Sequence, residues 1–319
     1  MTRARWQFIV SALAVVFLSA GSPGGAQETA SPPPLVDETW LAENAAAQNV
    51  VMLDLRSREE FNRGRLKGSV FADYPERWRP IGRSGRRGLL GRAAFAALAG
   101  ELGIDSASHV ILIHAGRTAN DAASATDIFM SFRLQSHRRV SILNARPRAA
   151  ADAGIEIERG DPVARPPKTF GAVPTTGFLA GGRKAVRESI GASPLVDMRR
   201  DTQFIGLEKP GDVSEPGTIP TARNLPGRWI FDETVGRFRD TDTLRQMFEF
   251  SRIPLDKKVI FFGNNSALAA LGWFVSRELL GNTEARIYAG GMGDWMSASA
   301  EEAPRVVRYI QSLEAAPVR

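Results

Sequence analysis

At 319 residues, 43% of them hydrophobic, the chain is long enough to bury two ordinary domain cores. Its net charge of +6 is a modest excess that argues against nucleic acid as a partner. The absence of cysteine excludes disulfides, thiolate metal sites and any thiol nucleophile.

Residues 1–26 read as a secretory signal peptide. Arg3 and Arg5 give a basic start, Phe8 to Ala20 is an apolar run of 13 residues, and Gly24, Gly25 and Ala26 supply small side chains for cleavage after Ala26. The alternative, a permanent anchor, fails on length, since such a run makes a helix of about 20 Å against a hydrocarbon core of roughly 30 Å. Cleavage lowers the net charge from +6 to +4, because both lost charges are arginines. It leaves a periplasmic or secreted protein with no stable membrane insertion.

Residues 27–34, ending in three prolines, form a Pro-rich leader. Val50 to Leu55 is then a short apolar run, predicted as a buried strand that ends at Asp54, with Arg56 and Phe61 following at fixed offsets. Arg77, Arg79, Arg83, Arg86, Arg87 and Arg92 crowd one polar stretch. That stretch is either a solvated loop or a docking surface for an acidic partner. Ala93 to Leu102 has helical periodicity and stops at Gly103. The strand Val110 to Ile113, the loop beginning at His114, the helix Ala119 to Leu134 and the strand Val140 to Leu143 complete a unit.

Residues 159–175 hold four prolines and little apolar periodicity, the mark of a linker. Beyond them the pattern repeats. Pro194 to Met198 is a strand ending at Asp197, with Arg199 and Phe204 at the offsets seen after Asp54. Thr243 to Phe250, Val259 to Phe262, Leu268 to Leu280 and Ala285 to Tyr288 match the helix, strand, helix and strand of the first half. The alternation predicts an α/β protein with two tandem domains, at 35–158 and 176–303, each a mainly parallel sheet covered by helices on both faces. A tail spans 304–319.

The order of these pieces resembles the rhodanese family, in the tandem form of thiosulfate and 3-mercaptopyruvate sulfurtransferases. Leu195 to Arg199 (LVDMR) is similar to the family's strand ending in Asp-x-Arg, and Gly217 to Pro226 (GTIPTARNLP) to its GHIPGAxNLP signature, with Thr218 and Thr221 as departures. Gly290 to Trp295 (GGMGDW) resembles the Gly-Gly-x-x-x-Trp element after the last strand. The first half matches more loosely, through Leu53 to Phe61, Gly64 to Ser69 and Ala153 to Ile157.

The resemblance implies that the chemistry belongs to the loop after Val259 to Phe262, where converging backbone N–H groups and a helix N-terminus make an anion cradle. In active members a cysteine opens that loop and carries sulfur as a persulfide. Here Gly263 opens it, within Gly263, Asn264, Asn265, Ser266, Ala267, Leu268 and Ala269, and the first-half equivalent is His114. The resemblance also implies a donor-contacting arginine after Asp197, and Gln203 stands at about that position.

No catalytic residue is therefore assigned. Ser266 would need an adjacent general base, and His109, His114 and His137 all belong to the first half. His114 reads either as a loop imidazole bonded to backbone or as a proton-transferring group at the mouth of the first cradle. Asp54 and Asp197 read as braces paired with Arg56 and Arg199. Trp229, Trp273 and Trp295 read as packing. No metal cluster, phosphate-binding loop or cofactor motif is present in the sequence, so no cofactor is expected. The expected function is a catalytically inactive sulfurtransferase homologue that binds a small oxyanion or a periplasmic protein. The alternatives are a sulfurtransferase working with a partner's thiol, and an assembly protein docking through the arginine-rich loop.

Overall fold

The computed structural model of the chain describes residues 31–162, 164–211, 213–297 and 306–310. The expected signal peptide at 1–26, the start of the leader and most of the tail at 304–319 lie outside the described residues.

In the first half, Leu35–Val36, Val140–Leu143, His109–Ile113, Val50–Asp54 and Val70–Phe71 form a parallel sheet in that spatial order. In the second, Ala285–Ile287, Val259–Phe262, Leu195–Asp197 and Arg223–Asn224 form another, also parallel. Leu179 adds a parallel bridge to Ile287 at the edge that Leu35–Val36 occupies in the first sheet. The sequence repeat is thus a repeat of strand order. Every residue of the central strands Val50–Asp54, His109–Ile113 and Val259–Phe262 is buried, as expected of parallel strands covered on both faces.

Helix starts follow local capping chemistry. Thr118 and Asp121 form a capping box at the head of Ala119–Leu134, as Ser57 and Glu60 do for Arg58–Arg63. Asp240 caps Thr241–Phe250, and Asn265 caps Ser266–Phe274. The helix Ser266–Phe274 therefore begins two residues before its expected start at Leu268. It ends at Phe274 and continues as a wider π-turn over Val275–Leu279.

Helices Ala119–Leu134 and Ser266–Phe274, each following the corresponding strand of its half, pack against one another at the centre of the molecule. Both are rich in alanine and carry aromatic residues at their far ends, which lets their backbones approach while Phe129 meets Phe274 edge to face at 4.9 Å. Gly272 lets the second helix close onto its own sheet, because a β-carbon would collide with the Phe261 ring. One apolar core runs through this contact from half to half, and a smaller core lies on the far face of each sheet.

The segment 159–175 has no helix or strand among its described residues but is tied down. Phe170 is buried against Phe95 and Phe132, and Thr175 N–H donates to the Leu134 carbonyl at 2.7 Å. A hairpin pairing Phe231–Asp232 with Arg237–Phe238, which carries no clear sequence signal, crosses from the second half to the first. There Arg237 meets Glu38 at 2.5 Å, and Phe238 N–H donates to Asn144 Oδ1 at 2.8 Å.

Three arginines of the arginine-rich stretch are paired within their own domain, one of them buried. Arg79 is buried on Asp127 at 2.7 Å, Arg77 pairs with Glu101 at 2.5 Å, and Arg87 pairs with Glu76 at 2.7 Å. Half of its six guanidinium groups therefore brace their own domain, which weakens the reading of this stretch as a docking surface.

Candidate functional site

Each half carries the same brace beneath its site. Arg56 Nη2 donates to Asp54 Oδ2 at 2.6 Å and to the Gly64 carbonyl at 3.0 Å. Arg199 Nη2 donates to Asp197 Oδ2 at 2.6 Å and to the Gly217 carbonyl at 2.8 Å. Both aspartates are fully buried, and the second is held further by Thr218 Oγ1 at 2.7 Å, so the Thr218 departure keeps a donor on the carboxylate. Asn224 Nδ2 then donates to the carbonyls of Asp197 and Arg199, fixing the strand end from the neighbouring strand.

Above the brace, the two strand-to-helix connections differ in length. The first runs from His114 to Thr118, and the second only from Gly263 to Asn265. The supposed loop Gly263 to Ala269 is thus a three-residue connection, with Ser266, Ala267, Leu268 and Ala269 already in the first turn of the helix. A β-carbon on Gly263 would lie 2.6 Å from Leu268 Cβ, so the position implied for a nucleophile is filled by the helix itself. The carbonyls of Gly263 and Asn264 accept from Met292 N–H at 2.8 Å and Gly293 N–H at 3.3 Å, pinning the connection to the Gly290–Trp295 turn.

The longer first-half connection does present converging amides, and the protein's own carboxylates occupy them. Arg117 N–H and Thr118 N–H donate to Asp121 Oδ2 at 2.9 and 3.1 Å. Ala119 N–H donates to Glu233 Oε1 of the crossing hairpin at 2.9 Å. Arg146 closes the arrangement by donating to the carbonyls of Gly116 and Glu233.

His114 does not stand at the mouth of a cradle: it is buried against the Phe231 ring, and the backbone beside it is that of Leu143. Burial pulls its pKa down to about 4, and the nearby Asp121 charge and Leu143 backbone only partly offset that, so the ring is neutral at pH 7. The ring is a weak base with no hydrogen bond to Ser266, whose hydroxyl therefore has no activating partner here.

A cleft of about 420 Å³ opens where the halves meet, beside the Gly263 connection. Met198, Pro226 and Leu268 give it an apolar floor, while Thr118 and Asn120 reach it from the first half. Gln203, at the place where the family resemblance implies an arginine, accepts from Asn264 Nδ2 at 3.4 Å and donates to Glu208 at 3.2 Å. Hydrogen bonds from Thr202 and Gln203 hold the Glu208 carboxyl below its usual pKa. Arg200, Arg228 and Glu233 complete the charged lining. The cleft, Glu208 and the crossing hairpin were not anticipated from the sequence.

Comparison with known proteins agrees with this architecture. The family model described as the rhodanese-like domain matches residues 37–145 and 183–298. A Mycobacterium bovis protein provisionally named as a thiosulfate sulfurtransferase is 27% identical over 275 residues, covering 82% of this chain and 94% of its own length. Human 3-mercaptopyruvate sulfurtransferase is 26% identical over 290 residues, covering 84% and 93%. Among solved structures, SseA from Escherichia coli, a 3-mercaptopyruvate sulfurtransferase, superposes with a TM-score of 0.65 at 21% identity over 82% of this chain and 99% of that one. A structure of EanB in complex with ergothioneine gives 0.71 at 17% identity, covering 85% and 69%.

Proposed function

We propose, from the premise that this chain belongs to the rhodanese family, that it is an exported sulfurtransferase homologue that binds a ligand without turning it over. The ligand is a small molecule bearing an oxyanion group, held in the cleft between the halves. The observation that carries the reading is the cleft itself, which keeps two arginines and a set of amide side chains beside a connection whose nucleophile position is closed. Export is supported by the basic, apolar and small-residue sequence of residues 1–26.

Persulfide formation on the chain has no atom to form on, since there is no cysteine. Oxyanion binding is left to the guanidinium groups of Arg200 and Arg228 and to the donors of Asn120 and Asn264. Calorimetric titration of the purified mature protein with sulfate, thiosulfate, sulfite and phosphate, beside a cyanide-coupled sulfur-transfer assay, tests the reading. Saturable binding without turnover is the expected result. Turnover by the chain alone would overturn it, and turnover only with an added thiol-bearing protein would assign presentation of a donor to that partner.

A further inference from the structure

The lining of the cleft carries charges of both signs in equal number. Arg200 and Arg228 contribute two positive groups, Glu208 and Glu233 two negative ones. Glu208 sits among Thr202, Gln203 and Arg200 on the second-half wall, and Glu233 belongs to the hairpin that bonds Ala119 of the first half. The carboxylates are only loosely compensated, for Arg200 lies 4.0 Å from Glu208 in an exposed pair and Glu233 accepts from a backbone amide, while Arg228 already gives one arm to Asp201 at 2.7 Å.

A free dianion placed here gains from the guanidinium groups and loses to the carboxylates, so it binds but weakly. A molecule with an oxyanion at one end, a cationic nitrogen at the other and a short apolar body between them meets a complementary group at each point. Its body would rest on Met198, Pro226 and Leu268. The volume of about 420 Å³ suits a small metabolite of that kind.

We infer that the cleft takes a small zwitterion, of the amino-sulfonate, amino-acid or betaine class, in preference to a bare oxyanion. The inference rests on the proposed binding function and deepens it by giving the ligand a second, positive charge.

Four probes separate the two. Taurine carries both charges, isethionate keeps the sulfonate without the ammonium, ethanolamine keeps the ammonium without the sulfonate, and sulfate is a bare dianion. Titrated into the mature full-length protein, taurine is expected to bind about tenfold or more tighter than isethionate or ethanolamine, the scale of one charge-assisted contact. Isethionate or sulfate binding as well as taurine would overturn the zwitterion while leaving oxyanion binding in place. No saturable binding by any probe would overturn both. Glu208→Gln and Glu233→Gln, tested singly because the second also caps a helix, are each expected to shrink the advantage of taurine over isethionate severalfold. An unchanged ratio in both folded variants would also overturn the inference.

Discussion

Leu268 Cβ stands 2.6 Å from where a β-carbon on Gly263 would sit, closer than two such atoms approach in a packed protein. The glycine is therefore a packing requirement of the shortened connection as well as a missing nucleophile. Gly263→Cys is expected to remain inactive with thiosulfate or mercaptopyruvate and to be destabilised, since overpacking costs about 1–3 kcal/mol. Gly263→Cys combined with Leu268→Gly should recover the packing loss in part, less the roughly 1 kcal/mol of a glycine in a helix. Mass spectrometry after incubation with thiosulfate checks the first claim. A persulfide on the single variant, with turnover, would show that the position is open.

The two Asp–Arg braces differ in how far they are shut from water, and their loss should differ accordingly. Arg199 is 1% exposed and Arg56 11% at the side chain, and only Asp197 also takes a hydroxyl donor, from Thr218. Asp197→Ala strands a buried guanidinium, a change that costs about 3–5 kcal/mol. Asp54→Ala leaves a guanidinium that can still reach solvent and should cost less. Urea unfolding midpoints of the two variants check the order, and equal losses would contradict it.

The parts of this fold that the sequence announces are those whose physics is local. Buried parallel strands show as apolar runs, and Asp54 with Arg56 and Asp197 with Arg199 mark strand ends because each pair closes within two residues of chain. What stayed hidden depends on distant groups. The edge strands Val70–Phe71 and Arg223–Asn224 are two residues long and exist through pairing with neighbours, so they leave no periodicity. Glu233 reads as one acid in a polar turn until the fold brings it to Ala119, 114 residues earlier. The shortening after Phe262 was obscured because Ser266 to Ala269 has the composition of a loop and of a helix start alike.

Glu233 ties the halves together through a helix N-terminus, where a carboxylate contributes about 0.3–1 kcal/mol. Glu233→Ala should lower stability by about that amount, and Arg146→Ala, which removes bonds to both Gly116 and Glu233, should lower it further. Added salt should weaken the Glu233 contribution, because the residue is exposed. Thermal unfolding of both variants at low and high salt checks this. A Glu233→Ala loss that does not shrink with salt would point to packing in place of charge.

Acid should unfold this protein earlier than its carboxylates require, because its histidines are buried. Burial holds His114 and His109 down to about 4, with Arg139 and His137 adding repulsion at His109, and it lowers His137 as well. An unfolded histidine titrates near 6.5, so between that value and about 4 the unfolded chain takes up protons that the folded chain cannot. Stability is thus full above pH 6.5 and falls as pH drops through this window, at up to ~1.4 kcal/mol per unit for each such ring. His114 alone would contribute a loss of about 3 kcal/mol by pH 4. Asp105, held at about 2 by Lys168 and Ser108, loses its contribution only below about pH 4 and does not blur the window. His114→Phe, similar in volume and with no proton to gain, should make the decline between pH 6.5 and 4.5 shallower, with His109 and His137 still contributing, while remaining folded at pH 7.5. Urea unfolding across that range checks it, and a decline as steep as that of the parent chain would mean that His114 is not among the groups whose protonation drives it.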